Sequence, residues 1–381
     1  MRTPEQELLE LEQQALRRSL RQVGSCQSRT ISLNGNEVLN FGSNDYLGLA
    51  NHPALIAAMA EGAEQWGVGS GASRLITGSM TPHVLLEEFI AEYKGCEAAL
   101  CFANGYATSV GTLTALMGKE DTIILDKLSH ASLIDGARMS GATVRVFPHN
   151  NMEKLEKLLI STREKSCSDA RILIVTESVF SMDGNLAELE KIIALKEKYG
   201  ALLLLDEAHG LGVYGYTGAG LTEHLACGDK VDIHMGTLGK AAGVAGGYIA
   251  SNRALIDLVI NKARSFIYST APPPAQAHTA LAALRIIASG EGTQRRETLW
   301  TNIAHLAKKL DLTTPQSAII PWHVGESESA LQLSNSLLEK GMFAPAIRFP
   351  TVPRNTARLR ITLTASHTAA DIDTLASELD S

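Results

Sequence analysis

The apolar run Ala201-Leu202-Leu203-Leu204-Leu205 ends in Asp206-Glu207-Ala208-His209-Gly210, and Lys240 follows among small residues in Gly236-Thr237-Leu238-Gly239-Lys240. A buried strand thus delivers a carboxylate to its C-terminal end, an imidazole three residues on, and an amine a short helix and strand later. An amine in an apolar pocket is held unprotonated and nucleophilic, because burial disfavours its charged form. A partly buried carboxylate is tolerated only beside a cation. Pyridoxal phosphate (PLP) chemistry uses both groups, a lysine for the Schiff base and an acid that keeps the pyridinium nitrogen protonated. Taken singly, Asp206 reads as a helix N-cap and Lys240 as a solvated loop lysine. Taken together with His209, they point to PLP.

A phosphate anchor is expected at Asn104-Gly105-Tyr106, which follows the apolar stretch Ala98–Phe102 and opens a helix over 107–116. Backbone N–H groups at a helix N-terminus stabilise an anion. Thr237 can add a hydroxyl. His130 heads a strand-to-helix loop, where an imidazole either caps the helix or stacks on a flat ring. The segment Gly67-Val68-Gly69-Ser70-Gly71-Ala72 matches G-x-G-x-x-A, but a helix over 54–66 precedes it instead of a strand, which excludes a dinucleotide site. No His/Cys/Asp cluster has metal-ligand spacing.

The surrounding elements alternate between helices and short apolar strands. Strands are predicted over 122–125, 143–147, 172–176, 201–205, 233–236 and 247–250, with helices such as 152–161 and 186–199 between them. That alternation gives a mainly parallel sheet covered on both faces. Polar clusters follow the strand ends, at Ser129-His130, Glu177-Ser178, Asp206 to His209 and Thr237 to Lys240. In open α/β sheets that carboxyl edge binds ligands. The first twenty residues form an amphipathic helix with Leu9, Leu16 and Leu20 on one face, and Asn34-Gly35 turns a hairpin over 31–41. Pro272-Pro273-Pro274 marks a boundary, followed by helices over 275–289 and 295–309 and strands over 318–323 and 358–362. The division expected is an N-terminal segment (1–50), a large PLP-binding domain (51–274) and a small C-terminal α+β domain with an inter-domain helix (275–381).

The 381 residues and a net charge of -7 fit an ordinary soluble enzyme and argue against nucleic acid or a membrane surface as partner. Five scattered cysteines without a C-x-x-C pair, and no signal peptide or apolar span, give the expectation of a cytoplasmic protein with reduced thiols.

Several stretches carry a specific resemblance: Ser43-Asn44-Asp45-Tyr46-Leu47-Gly48, Leu128 to Leu133, Phe180-Ser181-Met182-Asp183-Gly184, Asp206 to Gly210, Thr351-Val352-Pro353 and Thr356 to Arg360. From about Arg21 onward the chain resembles the α-oxoamine synthases, PLP enzymes of fold type I (aspartate aminotransferase-like). The resemblance implies a mainly parallel seven-stranded sheet plus a small C-terminal α+β domain. Within the family the chain is most similar to the acyltransferases that condense L-alanine with a pimeloyl thioester, carried by coenzyme A or acyl carrier protein, in biotin biosynthesis. Relatives using glycine and a shorter acyl thioester are the alternative. The resemblance makes Lys240 the Schiff-base lysine and Asp206 the partner of the pyridine nitrogen. His209 and Ser181 would bond the phenolic oxygen, and His130 would stack on the ring. Gly105, Tyr106 and Thr237 would hold the phosphate. Arg21, Asn44, Thr351 and Arg360 match substrate positions, with Arg360 gripping the amino-acid carboxylate. A homodimer with active sites at the subunit interface is implied. Asn104 departs from the pattern, which has a small residue such as serine there.

Overall fold

The apolar runs of the sequence become the strands of one seven-stranded sheet. The computed structural model describes residues 2–165, 167 and 169–380. Two compact units emerge: one holds His52–Ser181 and Asn185–Arg296, the other the chain up to Asn51, Met182–Gly184 and the chain from Glu297 onward.

The first unit is built on β1 (Ala98–Phe102), β2 (Thr122–Asp126), β3 (Thr143–Phe147), β4 (Ile172–Glu177), β5 (Leu202–Asp206), β6 (Ile233–Thr237) and β7 (Gly247–Ser251). Their order is β1-β7-β6-β5-β4-β2-β3. The run β6-β5-β4-β2-β3 is parallel, and β7 lies antiparallel between β6 and β1. Helices connect the parallel strands and cover the sheet. The central strands therefore carry apolar residues on both faces, and β2 and β4 are buried throughout. Leu125, Leu133, Leu173, Val175 and Leu204 form part of a core between sheet and helices. In register, Glu177 of β4 lies beside Asp206 of β5, and Asp206 beside Met235 of β6. β4 and β5 thus end level at one edge, and β6 runs two residues further to Thr237.

This unit runs past the triple proline to Arg296, further than the boundary expected at residue 274. The reason is helix packing. A Cβ on Gly62 would come within 2.9 Å of Ala275 Cα, so only glycine lets helix Pro53–Trp66 approach helix Pro274–Ala288 that closely.

The second unit contains the expected hairpin, Thr30–Leu33 with Asn36–Asn40. Asn34 and Gly35 take φ of 50° and 88°, the left-handed conformations of a type I′ turn. Met342–Phe343 adds a parallel strand to it. A second sheet pairs Ala357–Thr362 with Ile319–Gly325 and Ala346–Ile347. The N-terminal helix is shorter than expected. It spans Pro4–Gln13 behind a Thr3 capping box and buries no residue, and Ala15 then turns left-handed (φ 54°). Leu9 and Leu20 are exposed, so no apolar contact carries the helix onward. Among the described residues no helix is long and apolar enough to cross a membrane.

Candidate active site

The carboxyl edge of the large sheet opens into a cavity of about 140 Å³, at the strand ends where open α/β sheets bind ligands. Gly105, Tyr106, His130, Ser132, Glu177, Asp206, Ala208, His209, Met235, Thr237 and Lys240 line it. Seven residues nominated from the sequence therefore meet in one place.

Lys240 sits in the loop that reverses the chain between β6 and β7. That loop is pinned by Leu238 N–H donating to Gly246 O (3.0 Å), Val244 N–H to Leu238 O (3.0 Å) and Gly243 N–H to Lys240 O (2.8 Å). Gly246, with φ of 133°, supplies a conformation few side chains adopt. The Lys240 amine lies 2.6 Å from His209 Nε2. Asp206 is 5 % exposed, and its Oδ1 accepts the Ala208 N–H at 2.8 Å. Burial raises its pKa, and the charges of Lys240 and His130 only partly offset this. No ion pair to Asp206 occurs among the described residues.

Helix Gly105–Leu116 points its N-terminus at the same cavity. Asn104 caps it, its Oδ1 accepting Ala107 N–H at 2.9 Å. A Cβ on Gly105 would lie 3.7 Å from Thr237 Cβ, so the helix start and the end of β6 face each other. Tyr106 donates its hydroxyl to Asp135 Oδ2 at 2.9 Å. His130 N-caps the next helix through Nδ1, 3.3 Å from Ser132 N and 2.8 Å from Ser132 Oγ. The two uses foreseen for this histidine are therefore compatible: one ring edge caps, and the ring remains exposed at the cavity. Desolvation lowers its pKa, with Asp206 opposing.

Ser181 is buried in the turn after β4 and is not among the lining residues above. Of the substrate candidates, His130 lies at this cavity, and Arg21, Asn44, Thr351 and Arg360 belong to the other unit. There Arg360, 5 % exposed, donates from Nη1 to Asn44 Oδ1 and to Thr362 Oγ1, each at 3.0 Å. Arg21 stacks its guanidinium over Phe343 (4.9 Å), and Thr351 accepts from Arg18 at 3.2 Å. Asn44 and Arg360 thus touch, while Arg21 and Thr351 have other neighbours. The segment Gly67–Ala72 is tied down through Ser70 Oγ to Pro272 O (2.5 Å). No cluster of metal-ligating side chains occurs among the described residues.

The aminotransferase class I and II family model matches residues 36–379. Curated 8-amino-7-oxononanoate synthases of Citrifermentans bemidjiense and Geobacter sulfurreducens are 45% and 46% identical over 98% and 96% of this chain, and 96% and 94% of their own. The chain belongs to the 8-amino-7-oxononanoate synthase family. Among solved structures, the serine palmitoyltransferase of Sphingomonas wittichii superposes with a TM-score of 0.91 at 30% identity, over 99% of this chain and 94% of that one. The 8-amino-7-oxononanoate synthase of Francisella tularensis gives 0.76 at 27%, over 90% and 96%. A structure of SPT with PLP gives 0.91 at 30%, over 98% and 95%. The fold is thus that of the PLP-dependent aminotransferase class, as expected. Four lining residues, Ser132, Glu177, Ala208 and Met235, were given no role from the sequence. Glu177, placed by the sequence only among the polar residues at the strand ends, closes β4 in register with Asp206.

Proposed function

We propose that this enzyme condenses L-alanine with a pimeloyl thioester, giving 8-amino-7-oxononanoate, carbon dioxide and the free carrier thiol, in biotin biosynthesis. What carries this reading is the joint presence of family membership and the Lys240–His209–Asp206 cavity beneath a helix N-terminus. The chain's groups fit PLP. Asp206 is a buried carboxylate whose raised pKa calls for a positive partner, and Gly105, Tyr106 and Thr237 offer an anion cradle. Bound there, PLP supplies a carbonyl that condenses with amines and a cationic ring that withdraws electrons from the adjoining carbon.

The protein's residues do the rest. Asp206 would hold the proton on the cofactor's ring nitrogen, and His130, His209 and Ser181 would help hold the cofactor in the pocket. Lys240 Nζ takes the Cα proton of alanine and later returns one to the same carbon, as general base and acid. Arg360, oriented by Asn44 and Thr362, binds the alanine carboxylate that leaves as carbon dioxide. Arg21 and Thr351 contact the acyl substrate, carried by coenzyme A or acyl carrier protein. The working form is a homodimer.

Absorption spectroscopy tests this reading. The purified protein shows a visible band that shifts with L-alanine and changes again on adding a pimeloyl thioester, and Lys240→Ala abolishes turnover. No visible band even after adding PLP, or substantial turnover by the lysine variant, overturns it. Faster turnover of glycine with an acetyl or succinyl thioester overturns the substrate assignment alone.

A further inference from the structure

Glu177 has no part in the roles above, yet it forms the floor of the same cavity. It is 2 % exposed at the end of β4, next in register to Asp206, so both carboxyl groups project from the same face of adjacent strands. Its Oε1 accepts the backbone N–H of His130 at 2.5 Å, which ties the loop after β2 to the floor. No ion pair to Glu177 occurs among the described residues. Two buried carboxyl groups side by side cannot both ionise cheaply, because each charge opposes the other in a medium that solvates neither well.

We propose that Glu177 is a positioning residue: as a neutral carboxylic acid it anchors the backbone of His130, and it leaves Asp206 as the single ionised carboxylate of the pocket floor. The proposal rests on the PLP reading for its catalytic meaning, but not for its geometry. The groups that face Glu177 decide which acid keeps its proton. Asp206 on β5 and Asp126 on β2 oppose its ionisation, while Lys240 and the His130 N–H favour it, and His209 shares the cavity. Burial is the largest effect, and together they push the Glu177 carboxyl up to about 8. Asp206 has its own Ala208 N–H, and the charges of Lys240 and His130 favour its ionisation. A neutral Glu177 accepts the His130 N–H through its carbonyl oxygen and keeps a second negative charge away from the carboxylate that pairs with the pyridinium.

Glu177→Gln keeps the acceptor and is neutral at every pH, whereas Glu177→Ala removes it. The first readout needs no cofactor. In the full-length chain without PLP, the infrared C=O stretch of a protonated carboxyl is expected to disappear as pH rises through about 8, and to be missing in Glu177→Gln. The second is PLP affinity and the His130 ring NMR signal. Glu177→Ala is expected to weaken PLP roughly tenfold and shift the ring signal, and Glu177→Gln to recover most of both, as loss and restoration of one buried hydrogen bond would give. In a His130→Ala background, Glu177→Ala is expected to add little further loss, the non-additivity of a shared device. The proposal is overturned if the protonated carboxyl signal is the same in Glu177→Gln, if Gln is as harmful as Ala, or if the two losses simply add. Failure of the PLP reading leaves the infrared result standing.

Discussion

Asp206 and Glu207 follow one another in the chain, and both carboxyl groups are buried, but they meet opposite surroundings. Asp206 lines the cavity with the Ala208 N–H on it and no cation paired to it among the described residues, and its pKa is raised by burial. Glu207, fully buried, receives the ammonium of Lys94 at 2.6 Å, the Thr222 N–H at 3.1 Å and the Thr222 hydroxyl, with His234 Nδ1 3.8 Å away. Burial raises its pKa too, but Lys94 and His234 more than offset that and hold it down at about 2. Lys94 is pushed up in return: burial lowers it, and Glu207 outweighs burial. The ammonium also donates to Ala219 O, which ties the turn after Asp206 to the loop before Leu221. One carboxylate brings its cation from within the chain and braces the turn carrying Asp206 and His209. In the proposed function, the other takes its cation from a ligand.

The largest effect expected from this contrast is on activity. Asp206→Asn lowers kcat by ~100-fold or more, the usual scale for losing a positioned proton partner. It leaves the urea midpoint of the PLP-free chain unchanged or slightly raised, because an unpaired buried charge is removed. A large loss of stability in this variant breaks the contrast. Next comes Glu207→Gln, which strands the Lys94 ammonium and costs about 3–5 kcal/mol in urea unfolding. Lys94→Met strands Glu207 with a similar cost. The pair Lys94→Met with Glu207→Leu recovers most of that stability, since apolar replacement of a buried pair is often neutral or better. If the double variant is no better than either single one, the pair is not the unit described.

The same contrast appears against pH. Glu207, with a folded pKa below the ordinary 4.5, contributes stability that is complete above 4.5 and is lost as pH falls toward 2. Glu177 has its folded pKa raised, so its contribution is complete below 4.5 and is lost as pH rises toward 8. Unfolding free energies of the wild type and Glu177→Gln, measured across this range, should therefore converge or cross as pH rises. A parallel pair of curves removes Glu177 from the account.

Much of this was legible along the chain. Strands buried on both faces read as unbroken apolar runs, so Leu202–Leu205 and Ile172–Val175 stood out, and with them the carboxyl edge holding Asp206, His209 and Lys240. What stayed hidden depends on which strands become neighbours. Glu177 is only one of several polar residues at the strand ends until β4 and β5 are set in register. Lys94, at the end of helix Thr81–Lys94 before a left-handed Gly95, reads as a solvated charge favouring the helix C-terminus. Only the folded sheet reveals that it is buried against Glu207. The reach of the large unit to Arg296 was hidden for the same reason, since the contact of Gly62 with Ala275 joins distant segments.

The smallest effect expected is at Asn104, where the contrast between built-in partners and ligand partners is repeated at the anion cradle. The Asn104 side chain is occupied in its own helix by Ala107 N–H, so it belongs with Glu207 rather than with Asp206. The first N–H groups of a helix have no acceptor within it, and Gly105, where this helix starts, lies against Thr237. Serine and asparagine cap helices about equally well, so Asn104→Ser shifts the unfolding free energy by a few tenths of a kcal/mol, whereas Asn104→Ala costs about 1 kcal/mol. In both variants PLP affinity should change far less than stability does. A marked loss of PLP from Asn104→Ser with an unchanged urea midpoint would move Asn104 to the ligand's side of the division.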